Sequence, residues 1–150
     1  CSIGGLTVLP VEPYNEEEIS DEHTIIRRIN PRQHLVWDDN RGRERVSSKA
    51  FSPSSGKCGG MSVDIEEKII AAQVDPREYV VTPVFTGSVF FLAGAARGLD
   101  LWIGYDPIPG NPYHGEVWGN PRPNRFSKSQ KKGLQRASEW YVPLDGVDIE

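Results

Sequence analysis

Cysteine and methionine are scarce in this 150-residue chain: two Cys, Cys1 and Cys58, and one Met. Two Cys are too few for a disulfide-dense secreted scaffold and too isolated for a zinc site, which needs about four ligands, so a reducing cytoplasmic setting is expected. No apolar run approaches the roughly 20 residues of a membrane span, and no basic stretch followed by an apolar one marks a signal peptide. The usual nucleotide and zinc signatures are also missing: no Gly-rich loop ending in Gly-Lys-Ser/Thr, no Gly-x-Gly-x-x-Gly after a strand, no His-Glu-x-x-His. The histidines, His23, His34 and His114, are far apart, which predicts no metal. Asp38 and Asp39 are adjacent, a spacing better suited to a turn than to a cation. Cys1 is expected to be a sequence boundary rather than a lipid-modified residue, a freed nucleophile or an intein start. An intein's His-Asn ending is absent.

What remains is material for one folded domain. Hydrophobic residues make up 37%, with four Trp, five Tyr and five Phe, while 15 Gly and 12 Pro predict many turns between short elements. The net charge of −4 conceals two blocks. Glu12, Glu16, Glu17, Glu18, Asp21 and Glu22 form an acid-only stretch, so residues 1–22 are expected to be an extended acidic segment ahead of a domain at 23–150. Arg122, Arg125, Lys128, Lys131, Lys132 and Arg136 form a base-only stretch, which either pairs with the acids or docks a partner.

The pattern predicts an α+β fold: a single compact domain with a mixed or mainly antiparallel sheet and about two helices. Strands are expected at 23–29, 34–37, 45–51, 101–105 and 113–118, with a closing strand at 141–144. Residues 79–85 and 88–93 are expected to pair as a hairpin, followed by a helical turn at 93–99. One helix is expected over 64–73, with Asp64 and Glu67 as its capping box, and a second from a Ser127 N-cap to about Trp140. Residues 52–60, rich in Ser, Gly and Pro, read as a loop.

Two stretches carry the most specific text. One is Arg27-Arg28-Ile29-x-Pro31 with Arg45-Val46-Ser47-Ser48-x-Ala50-Phe51; the other runs from Asp106 to Val117. Together with Met61-Ser62-Val63-Asp64 they resemble patterns of small uncharacterised bacterial proteins, which implies a bacterial origin but no activity. A second resemblance lies in residue order. ADP-ribosyltransferases of the Arg–Ser–Glu type place an Arg on an early strand, a Ser on a following strand and a Glu on a late one. Arg28 or Arg27, Ser47 or Ser48, and Glu116 fall in that order here. The resemblance implies NAD as cofactor, its phosphates held by Arg27 or Arg28, with Ser47 orienting the Arg and Glu116 stabilising an oxocarbenium-like sugar. The chain departs from that pattern where Lys49 follows the serines and where His114 stands two residues before the Glu.

Two further readings compete. His34 and His114 could act as general acid and base with Lys128 or Lys131, as in metal-independent ribonucleases. Alternatively the chain is an accessory or effector domain with no cofactor, docking another protein, or nucleic acid, through Arg125, Lys128, Lys131, Lys132 and Arg136. This last reading explains the charge blocks with the fewest coincidences and is the leading expectation.

Overall fold

A computed structural model describes residues 2–3, 6–7, 15–54, 59–120 and 125–150. The α+β expectation holds. Its centre is a six-stranded sheet built from β3 (Thr24–Ile29), β6 (Met61–Ile65), β7 (Gly87–Leu92), β8 (Leu101–Tyr105), β9 (His114–Gly119) and β10 (Glu139–Val142). The order is β10-β7-β3-β6-β9-β8, antiparallel at every step. A smaller sheet joins β4 (Leu35–Asp38), β5 (Arg43–Val46) and β11 (Val147–Asp148), in the order β11-β5-β4. Short strands β1 (Ser2–Ile3) and β2 (Leu6–Thr7) pair with each other.

Alternation along the strands gives the central sheet two apolar faces. On one, Ile25, Ile29, Met61, Val63, Val89, Phe91, Ile103 and Val117 form the main core with helix α3 (Ala93–Arg97), helix α4 (Lys128–Ala137) and the small sheet. On the other, Ile26 packs with Ile69 of helix α1 (Glu66–Ala71), with Val80 after helix α2 (Pro76–Tyr79), and with Tyr141. Ser127 caps α4 through the expected box with Gln130. The turn at Asp38–Gly42 also forms as expected. The Asp38 carboxylate accepts from the Asn40 and Arg41 amides, and Gly42 takes the positive φ of 64° that favours glycine.

Several boundaries differ from the expectation. Residues 79–85 form no strand and no hairpin; Pro76 starts a short helix capped by Asp75, and β7 pairs instead with β3 and β10. The strand expected at 45–51 ends at Val46, where Ser47 caps a 3-10 turn over Ser48–Ala50. Asp64 caps no helix, because it is still in β6 and its side chain is drawn to Arg28; α1 begins at Glu66 with Ile65 as N-cap and no side-chain cap. The closing strand starts two residues earlier than expected.

Over its described part the acidic segment lies against the sheet edge. Ile19 is buried, the Glu16 amide donates to the Ile103 carbonyl, and the Glu16 carboxylate accepts from the Tyr105 amide, which covers the outer edge of β8. Glu12 and Arg122 lie outside the described residues. Among those described, the acid and base blocks do not pair: Asp21 bonds Arg97 at 2.7 Å, and Arg136 bonds Glu150 at 3.0 Å.

Candidate functional site

β3 and β6 are bridged only at Ile25–Ile65 and Ile26–Asp64. Beyond Ile26 the ladder stops, and the strands part around two consecutive arginines that face opposite sides of the sheet. Their separation opens a cavity of about 460 Å³, within the roughly 300–1,000 Å³ of small-molecule sites. Arg27, Arg28, His34, Ser54, Ser62, Asp64, Asn111 and His114 give its wall polar character, with Phe85, Ile108 and Pro109 as apolar patches.

Arg27 is 6% exposed. Its Nε donates to the Ala50 carbonyl at 2.9 Å, and its Nη1 donates to the Ser62 carbonyl at 2.9 Å and to Ser54 Oγ at 3.4 Å. These bonds fill the place of the missing ladder. Burial pulls its pKa down from 12.5 to about 10, against the opposing field of Asp64, so it is a cation at neutral pH. No carboxylate lies within ion-pair distance of Arg27 among the described residues, and its Nη2 makes no hydrogen bond there. A buried, rigid guanidinium on a cavity wall is suited to a phosphate.

Arg28 is committed elsewhere. Its Nε and Nη2 reach the two oxygens of Asp64 at 2.8 and 3.0 Å, and its guanidinium lies over the Tyr79 ring at 5.6 Å. Asp64 also accepts from Asn111 Nδ2 at 2.9 Å, and Asn111 Oδ1 accepts from the Tyr79 hydroxyl at 2.8 Å. This network fastens the Asp106–Pro112 connection over the cavity. Gly110, with φ of 83°, supplies its turn.

Ser62 and Glu116 stand directly opposite each other on β6 and β9, as do Asp64 and His114. All four share one face. His114 Nε2 is 3.1 Å from Ser62 Oγ and Nδ1 is 2.7 Å from the Asp106 carbonyl. Glu116, 3% exposed, accepts the Gly60 amide on Oε2 at 2.9 Å, and Oε1 accepts no hydrogen bond among the described residues. Asp106, His114 and Glu116 each place one possible ligand atom within 4.8 Å of the others. The His114 nitrogens and Glu116 Oε2 are nevertheless engaged in these hydrogen bonds, so the cluster is a hydrogen-bonded one.

Of the residues the sequence singles out, Arg27, Arg28, His34 and His114 line the cavity and Glu116 lies beside Ser62. Ser47 does not line it. Its Oγ accepts the Lys49 amide as the cap of the 3-10 turn. Ser62, Asp64 and Asn111 were not singled out as site residues, although Ser62 falls in the Met61–Asp64 pattern and Asn111 in the Asp106–Val117 pattern. Comparison with known proteins finds no matching family profile, no similar curated protein and no similar solved structure.

His34 shares the cavity with His114, but its Nδ1 accepts the Asn30 amide at 2.9 Å. Burial, then the nearby Arg27 charge, lower its pKa from 6.5 to about 4. His34 is neutral at pH 7, so it is not the imidazolium that a general acid requires. Lys128 and Lys131 sit on α4, which packs against α3, β7 and the 3-10 turn, with Leu134 in the main core. Arg125, Lys128, Lys132 and Arg136 are exposed, and Lys131 is half-buried.

Among the described residues no helix is long and apolar enough to cross a membrane.

Proposed function

We propose that the chain is an ADP-ribosyltransferase-like enzyme that cleaves the nicotinamide–ribose bond of NAD in the cavity between β3 and β6. The observation that carries the reading is the contact of Arg27, Ser62 and Glu116 across three neighbouring strands: Arg27, whose side chain alternates to the main-core face with Ile25 and Ile29, reaches the Ser62 backbone carbonyl with Nη1 where β3 and β6 part, and Ser62 stands directly opposite Glu116 on the other face. In this reading Ser62 replaces Ser47, and Arg27 takes the diphosphate while Arg28 shapes the wall through Asp64.

The chemistry follows from the residue types. As nicotinamide leaves, positive charge develops on the ribose, and a fixed carboxylate bonded to a ribose hydroxyl strengthens its hold as that charge grows. Glu116 lies beside the cavity wall formed by Ser62 and His114 rather than in it, and Oε1 is the oxygen left for this role while Oε2 stays on Gly60. Nicotinamide release from NAD by the purified protein is the test. Glu116→Gln should lower it by at least about 10²-fold, the scale of one lost electrostatic stabiliser. A parent protein that neither binds NAD nor releases nicotinamide refutes the reading.

A second role is favoured by the exposed bases Lys128, Lys132 and Arg136 of α4, with Arg125 ahead of the helix and half-buried Lys131 beside them: docking of another protein, or of nucleic acid, through these five residues. α4 covers the main-core face of the sheet, the side to which Arg27 also projects, whereas Ser62, His114 and Glu116 project from the other. Pulldown with Lys128, Lys131 and Lys132 changed to Glu tests it, and unchanged recovery of the partner refutes it.

A further inference from the structure

The hydrogen bonds of His114 fix its tautomer. A carbonyl oxygen can only accept, so the 2.7 Å contact with the Asp106 carbonyl requires a proton on Nδ1. In the neutral ring Nε2 then carries a lone pair, and the 3.1 Å contact is Ser62 Oγ–H donating to Nε2. The backbone beside the ring is anchored to the same residue, because the Asp106 amide donates to the His114 carbonyl at 2.9 Å. A hydroxyl on a cavity wall is thus paired with an oriented imidazole whose Nε2, in the neutral ring, can take up a proton, the arrangement of a group that removes protons.

We propose that Ser62 and His114 form a proton-accepting pair that activates the acceptor, so that the ADP-ribosyl group is delivered to an O–H nucleophile, with water as the simplest. This rests on the NAD-cleaving reading and adds the acceptor class and the base to it. As the C1′–N bond breaks, its electron pair leaves on nicotinamide. An oxygen lone pair of the acceptor forms the new C1′–O bond, and the acceptor's proton goes to Ser62 Oγ as the Ser62 proton passes to His114 Nε2. No oxidant or further reactant is needed. An anionic acceptor would need no such base.

The charged groups around His114 are Asp106, with Oδ2 3.9 Å from Nδ1, Glu116 two residues along β9, and Asp64 opposite on β6, itself paired with Arg28.

The test compares nicotinamide release by the parent, His114→Gln and Ser62→Ala across pH, with and without azide. Nitrogen-15 NMR of the His114 ring reads the tautomer independently of NAD. Expected are an unprotonated Nε2, turnover lowered by about 10²–10⁴-fold in His114→Gln with loss of the acid limb of the pH profile, and recovery of tenfold or more with azide, which attacks without losing a proton. Retained NAD binding in both variants shows that they are folded. A proton on Nε2, a parental rate and pH profile in His114→Gln, or a loss that azide does not relieve overturns the pair alone. A parent that releases no nicotinamide overturns the NAD reading, and the pair's role with it.

Discussion

Arg27 Nη1 donates to the Ser62 carbonyl at 2.9 Å across the point where β3 and β6 part, so a side chain takes over from a backbone ladder. The same contact that holds the sheet together places a cation on the cavity wall.

Arg27→Ala should therefore cost both fold and site. The Ala50 and Ser62 carbonyls lose their donor, which predicts a loss of about 2–4 kcal/mol in urea-induced unfolding. Arg27→Lys keeps the charge without the planar fork, and calorimetric titration should show NAD binding weakened at least about tenfold.

Ser47 and Ser62 should separate cleanly. Removing the Ser47 cap is expected to cost about 0.5–2 kcal/mol and leave nicotinamide release per folded molecule intact. For Ser62→Ala the turnover should fall while the melting temperature moves less than for Arg27→Ala. Equal turnover in the two variants would refute the assignment of Ser62.

The Arg28–Asp64 pair should behave as a unit. Asp64→Ala leaves a mostly buried guanidinium and Asn111 without their acceptor, predicting a loss of about 2–4 kcal/mol. In denaturant melts the double variant with Arg28→Ala should be less damaged than the sum of the singles by about 1–3 kcal/mol.

His34 sets a pH dependence of stability. The unfolded chain takes up its proton below about 6.5, the folded chain only near 4, so the contribution is complete above the first value and is lost as pH falls to the second. Allowing for partial exposure, its size is about 1–2 kcal/mol. Unfolding free energies measured from pH 4 to 7 should lose this part of their slope in His34→Gln.

Gly60→Ala should disturb Glu116. A Cβ there would meet the Val117 carbonyl at 2.2 Å, and the backbone shift needed removes the Gly60 amide from the carboxylate. Reduced nicotinamide release with retained secondary structure by circular dichroism is the expected result.

The elements carried by strong local signals were legible in the sequence. Ser127 with Gln130 announced α4, and the β-branched run at Thr24–Ile29 announced β3. Residues 79–85 misled because Tyr, Val and Phe suit a strand as well as the apolar cover they provide beside β3 and β10. Asp64 misled because its spacing to Glu67 resembles a cap, while its actual partner, Arg28, is 36 residues away. Glu116 and Arg27 could be proposed from order along the chain. Ser62 could not be chosen over Ser47, because the choice depends on register between β6 and β9, which no local pattern encodes.

The Asp64 carboxylate joins Arg28 and Asn111, partners 36 and 47 residues away in sequence. The cavity wall is thus a product of chain closure over long distances, late to form and early to be lost when the sheet opens. Exchange of the Asn111 side-chain amide protons, which bond Asp64, should follow the opening of the β3–β6 seam rather than local fraying of the Asp106–Pro112 connection, making that side chain a reporter of whether a binding site exists at all.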